Sequence, residues 1–155
     1  MSKDRSLRSP SYGHPADIEF WQAQKGLYSA DLITKKGGGI LLLTPCAEGI
    51  SVIHKDWSNL LEYDAETLAD LIRTRKVNDL AAASFALCVV KTREAYNTSV
   101  VSDGISYEIA EKLGFKKFST LQEAMEHLST IYGDKSRVAV LTHGGDTYPV
   151  LKTPK

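Results

Sequence analysis

The chain is short of cysteine, of any charge excess and of long apolar runs, and each shortage excludes something. Its two cysteines, Cys46 and Cys88, form no CxxC pair and lack the spacing of a zinc site. Cys88 falls in the apolar stretch Ser84–Val90 and reads as a small buried side chain. Lys+Arg and Asp+Glu are both 19, so no basic excess points to nucleic acid or an acidic membrane surface. Zero net charge also gives little colloidal repulsion, which favours a partner or self-association over a lone monomer. The longest apolar stretch is far short of a membrane span. Met1–Pro10 is polar throughout and does not read as a signal peptide. A cytoplasmic, soluble protein is the expectation. There is no internal repeat, and low complexity stops at Gly37-Gly38-Gly39.

What remains fits one domain with one core: 155 residues, of which 43% are hydrophobic and 25% charged. Residues 1–13, rich in Ser, Arg, Lys and Pro, read as a flexible amino-terminal segment, 14–151 as the folded domain and 152–155 as a tail. Pro15 is expected to open a helix, with Asp17 and Glu19 near its positive end and Phe20, Ala23, Leu27 and Ala30 as its core stripe. The three glycines are expected to end that unit. Residues 40–44 read as a buried strand with a loop at 46–49 behind it, and 54–61 as a helix or irregular lid. Asp64 caps a helix over 65–75, and Asn78 or Asp79 caps another through 81–88. Strands follow at 98–102 and 137–142, with a short one at 115–118. Helices lie between them, one closed by Gly114, the other opened by Thr120 with Glu123 and ended by Gly133.

The strands alternate with helices and show no period-2 polarity. That combination predicts an α/β fold: a mainly parallel sheet flanked by helices on both faces, three-layered and Rossmann-like. Ligands in such sheets meet the carboxyl ends of the strands. Three polar loops fall there, at Cys46–Gly49, Asp103-Gly104 and His143–Asp146.

Three constellations carry chemistry. At 100° per residue, Gln22 and Lys25 share the face opposite the core stripe, with Trp21 on its flank. A cation beside an amide suits a small carboxylate, but a solvated helix face explains the same residues. After the last strand, Thr142-His143-Gly144-Gly145-Asp146 offers close backbone approach and a proton-transferring imidazole. A tight turn into Pro149 is the equal alternative, and without GxGxxG and a following helix a nucleotide reading is weak. Cys46, Glu48 and His54 suggest a nucleophile and a base. No third, orienting group can be assigned, so a polar loop is preferred. His14 and His127 read as structural or solvated, and no metal site is expected.

Ser11–Asp17 and Phe20-Trp-Gln-Ala-Gln-Lys-Gly-Leu27 resemble the segment that opens the second domain of nickel-dependent lactate racemases. The resemblance continues through Gly37–Leu43, Glu48-Gly49, Val100–Asp103, Leu121–Ala124 and Thr142–Gly145 with Pro149, covering about residues 11 to 151. It implies the carboxyl-terminal domain of such an enzyme, acting as a racemase or epimerase only together with a first domain. The family uses a nickel-pincer nucleotide cofactor, carried by that first domain, to move a hydride from and to the α-carbon of a hydroxy acid. The resemblance implies that Gln22 and Lys25 help bind the substrate carboxylate or the cofactor edge. Trp21 stands where some members have a Tyr. His143, Gly144 and Gly145 are the remaining substrate-binding candidates. The first-domain lysine and histidines have no counterpart here. About Leu80 stands where some members carry a Trp, which leaves the hydroxy acid open.

Two functional expectations follow. The chain is the substrate-binding, closing half of a 2-hydroxy acid racemase, partnered by a separately encoded first domain or by self-association, and inactive alone. Alternatively it is a non-catalytic α/β binding or regulatory module on the same fold. The first expects an apolar docking surface around Trp21, Tyr28 and Trp57, the second a pocket closed by this chain itself. A phosphate-accepting receiver is disfavoured, since Asp103 and Asp146 alone supply too few acids at the strand ends.

Overall fold

The computed structural model describes residues 13–150 and the backbone of 4–10; the tail expected at 152–155 lies outside the described residues. In chain order the elements are β1 (Asp4–Pro10), α1 (Phe20–Ala23), α2 (Lys25–Ile33), β2 (Thr34–Leu43), α3 (Trp57–Leu60) and α4 (Ala65–Arg73). There follow α5 (Leu80–Ala95), β3 (Asn97–Val101), α6 (Tyr107–Leu113), β4 (Lys116–Phe118), α7 (Leu121–Tyr132) and β5 (Val138–Val140). The strands form one five-stranded sheet in the order β4-β3-β2-β1-β5, and every pairing is parallel.

The apolar run Ile40–Leu42 shows why period-2 polarity is missing. Ile40 and Leu42 enter the larger core with Phe20, Leu27, Trp57, Leu61, Leu68, Val89, Val90 and Leu113. Leu41 points the other way, onto Ala124 and Leu128 of α7. A strand buried on both faces needs apolar residues at every position. The helices thus divide, α1–α6 on one face and α7 on the other, as right-handed crossovers require when the chain steps outward through β2, β3 and β4 and then returns to β5.

Several local expectations hold. Asp64 Oδ1 caps α4 by accepting from the Thr67 N–H at 2.7 Å, and Asp79 Oδ1 caps α5 by accepting from Ala82 at 2.9 Å. Thr120 Oγ1 caps α7 by accepting from Glu123, whose own carboxylate accepts from the Ser119 N–H at 3.0 Å. Gly114 closes α6 in the left-handed region, φ 72. Phe20, Ala23, Leu27 and Ala30 are all fully buried.

Other expectations are corrected. Asp4–Pro10 is a strand between β2 and β5, where the sequence suggested a flexible segment. Backbone ladders on both sides hold it, and such a ladder leaves no mark in side-chain polarity. Pro15 does not start the first helix, because the chain turns through 14–19 and α1 begins at Phe20. Gly37–Gly39 belong to β2 and do not end a helix. At Gly39 a Cβ would stand 2.9 Å from Tyr132 Cε2 and 3.1 Å from Leu128 Cδ2, so glycine there lets α7 lie close against the sheet. Cys88 is exposed on α5, whereas Cys46 is fully buried.

Candidate functional site

The strand order reverses beside β1: the chain moves to β2, β3 and β4 on one side and returns to β5 on the other. The carboxyl edge at such a reversal is where open parallel sheets leave a crevice. Segments 13–19, 44–50, 102–106 and 141–147 follow strands β1, β2, β3 and β5 onto this edge.

Backbone hydrogen bonds knit the first three segments together. Cys46 N–H donates to the Asp17 carbonyl at 3.1 Å and Glu48 N–H to that of Ile18 at 2.7 Å. Phe20 and Trp21 N–H groups donate to Gly49 and Ile50, each at 2.9 Å. Gly104 N–H and Ser102 Oγ both donate to the Pro45 carbonyl at 2.9 Å. Glu19 Oε2 accepts from Val52 N–H at 2.9 Å. The start of α1 is therefore anchored by the loop behind β2.

On that anchor stand Gln22 and Lys25, both half-buried. Lys25 Nζ donates to Gln22 Oε1 at 2.7 Å. The expected shared face exists although the helix is interrupted at Gln24, whose αR backbone keeps the two three-residue neighbours in line. The Gln22 amide NH2 and the Lys25 ammonium group bring donors and a positive charge to one face.

Trp21 joins an aromatic cluster. Its ring stacks on His54 at 3.9 Å between centroids, and meets Trp57 and Phe85 edge-on at 5.0 and 4.7 Å. His54 Nδ1 lies 2.5 Å from Asp79 Oδ2. Asp79 therefore has a double role, one oxygen capping α5 and the other orienting His54. The Ala82 N–H and then the His54 contact hold its carboxyl below the usual range. This supplies the orienting group that local sequence did not reveal. The cap was legible at Asp79, but the pairing with a histidine 25 residues earlier was not.

Cys46 does not complete a nucleophile–base pair. Its Sγ lies 3.3 Å from Thr44 Oγ1, and burial pushes the thiol up to about 11, so it stays protonated near neutrality. Among the described residues no hydrogen bond joins it to His54. Glu48 is exposed in the same loop.

The segment after β5 forms a turn. Asp146 N–H and Thr147 Oγ1 both donate to the His143 carbonyl, at 3.0 and 2.7 Å. His143 is exposed, with Nδ1 3.2 Å from Thr142 Oγ1, while Gly144 is buried and Gly145 half-buried. Ser29 Oγ donates to the Thr147 carbonyl, fastening the turn to α2. A hydrogen bond thus joins Gln22 to Lys25 and ring stacking joins Trp21 to His54, whereas the His143 turn is fastened through Ser29.

Of the residues around which an apolar docking surface is expected, Trp57 is covered and Trp21 and Tyr28 are only half-exposed. Trp57 is fully buried under Phe20 and Trp21, and Tyr28 is half-buried, its hydroxyl bonded to Gln24 Oε1 and pushed well above the tyrosine range by burial. The exposed apolar side chains beside the aromatic cluster are Ile53 at 82%, Leu80 at 56% and Val52 at 51%. Among the described residues, no three or more His, Cys, Asp or Glu side chains are grouped to hold a metal ion.

Known proteins agree with this architecture. Residues 7–147 match the lactate racemase C-terminal domain model. The chain is 25% identical over 138 residues to the lactate racemase of Lactiplantibacillus plantarum, covering 88% of this chain and 32% of that protein. It superposes on the lactate racemase apoprotein from Thermoanaerobacterium thermosaccharolyticum with a TM-score of 0.82 at 17% identity, over 98% of this chain and 36% of that one. The second likeness establishes the fold, and the chain spans about a third of both relatives. With the family model covering the whole sheet from within β1 past β5, the chain belongs to the lactate racemase C-terminal domain family.

Proposed function

We propose that this chain is the substrate-binding, closing domain of a nickel-pincer-dependent 2-hydroxy acid racemase or epimerase, working in the cytoplasm and inactive without a first domain. The observation that carries the reading is the Lys25–Gln22 pair, 2.7 Å apart on the carboxyl edge of a lactate racemase-family domain. Lys25 would pair with the substrate carboxylate, and the Gln22 amide NH2 would donate to the same group. A closed cleft strengthens that attraction, because unit charges about 4 Å apart interact several-fold more strongly at a protein surface than in water. Trp21 would border the site, and the His143-Gly144-Gly145 turn would offer backbone donors to the substrate.

When bound, the pincer cofactor supplies a hydride acceptor for the α-carbon. In this reading the first domain would hold the cofactor, and this chain's residues would bind and orient the substrate. Exposed Ile53, Val52 and Leu80 are the apolar surface that such a partner would cover.

Lys25→Ala tests the reading in the two-domain assembly. Losing one charge-assisted contact should lower kcat/KM by about tenfold to a hundredfold. The unfolding midpoint of the isolated chain should not move, since Lys25 lies off the core. A fall in stability with unchanged turnover would reverse the assignment.

The second reading, an independent binding module, draws support from one feature. A cleft of about 420 Å³ lies wholly within this chain, beside His54 and Asp79. Unaltered ligand binding in a chain that never meets a first domain would favour it.

A further inference from the structure

The cleft lies between the His54–Asp56 loop with α3 on one side and the carboxyl end of α4 with the amino terminus of α5 on the other. Its volume of about 420 Å³ falls in the range of small-molecule sites. Leu60, Leu71, Val77 and Ala82 give it an apolar wall, and His54, Asn59, Lys76 and Asn78 give it polar groups. We propose that this cleft is a ligand site for a small organic acid, a carboxylate on an apolar body, and that it is distinct from the Gln22–Lys25 pair.

Orientation is the first argument. His54 is held on two sides, by Asp79 at Nδ1 and by the Trp21 ring against its face. Its Nε2 makes no hydrogen bond among the described residues and is the ring's uncommitted polar atom. A side chain locked by its neighbours with one functional atom left over is how binding groups are preorganised.

Charge is the second argument. The ionisable groups around the cleft are His54, Lys55, Asp56, Tyr63, Lys76 and Asp79. The Asp79 carboxylate is already engaged by the Ala82 N–H and by His54. Lys55 and Lys76 form no ion pair among the described residues. The free balance is two ammonium groups against Asp56, which suits an anion.

Lys76 and His54 Nε2 are the cleft's groups that would face the carboxylate. Trp57 also borders the cleft, so its indole reports occupancy. The inference does not depend on the racemase reading, because it requires no first domain and no turnover.

The test uses the full chain alone, with phenylacetate as probe and phenylacetamide as its uncharged match. Titration calorimetry is run alongside NMR of the His54 and Trp57 side chains. The proposal expects saturable binding of phenylacetate, amide binding at least about tenfold weaker, and a shift of the Trp57 Nε1–H resonance. Lys76→Met should weaken binding by about tenfold or more without altering the near-ultraviolet circular dichroism, and His54→Gln should weaken it similarly. Equal binding of acid and amide, no saturation by about 10 mM, or undiminished binding in both variants would overturn it. Failure here leaves the Lys25→Ala turnover test untouched, so the two readings fail separately.

Discussion

Gly104→Ala tests how the carboxyl edge holds the candidate site. A Cβ at Gly104 would stand 1.7 Å from the Cys46 carbonyl oxygen, 2.3 Å from its carbon and 2.8 Å from the Pro45 oxygen. Non-bonded atoms settle at about 3.5 to 4 Å, so the backbones must part by about 2 Å. All three obstacles are backbone, and no rotamer change relieves them. The 45–50 loop that must move also accepts the N–H groups of Phe20 and Trp21, and its Pro45 carbonyl accepts from Gly104 and Ser102. Overpacking costs about 1–3 kcal/mol, and each weakened Pro45 hydrogen bond about 1 kcal/mol more. The expected loss is therefore about 3–5 kcal/mol, a large share of the stability of a domain this size. Urea unfolding followed by far-ultraviolet circular dichroism measures it. Tryptophan emission at zero urea should shift as well, because the displaced loop anchors Trp21. A loss below about 1 kcal/mol with unchanged emission would refute the packing argument.

Other substitutions probe separate links. Arg75 sits at φ 56 just past α4, where the Lys76 N–H returns to the Leu71 carbonyl and the Arg75 N–H to Ile72; Arg75→Gly should raise stability by about 1 kcal/mol in the same urea assay. In the native chain at pH 8 a thiol reagent should label Cys88 quickly and Cys46 only after denaturant is added, since burial keeps the Cys46 thiol protonated up to about 11. Two fast thiols in the native state would contradict that burial. The folded state holds the Asp79 carboxyl below its ordinary value, so its contribution is present above the unfolded Asp pKa and is lost as pH falls through the lower folded value. Asp79→Asn should thus destabilise more at pH 7 than at about pH 3, as read from thermal unfolding at both.

Legibility in the sequence followed the range of each interaction. The buried stripe Phe20–Ala30 and the caps at Asp64, Asp79, Gly114 and Thr120 are local, and their residues were readable in place. The parallel sheet was legible because a strand buried on both faces must be apolar throughout, as Ile40–Leu42 is. Strand β1 was not legible, since a sheet ladder formed by backbone groups writes little into side-chain polarity. The place of the glycine triplet in β2 was not legible because its use is long-range: Tyr132 and Leu128, some ninety residues later, occupy the space a side chain at Gly39 would fill. At the site, the shared face of Gln22 and Lys25 was readable from helical spacing, whereas a binding role for them came only from the family resemblance. The Trp21–His54–Asp79 chain was not, because it joins three elements that only the fold brings together.

The most direct test of the central claim is to tag this chain, recover it from its native cells, and assay the material for nickel and for racemization of lactate and other 2-hydroxy acids. The account predicts nickel arriving with a second polypeptide and interconversion of at least one hydroxy acid, neither of which the separated chain retains. A chain recovered by itself, free of nickel and without racemization, would contradict the split-enzyme reading and leave an independent binding module on the racemase fold.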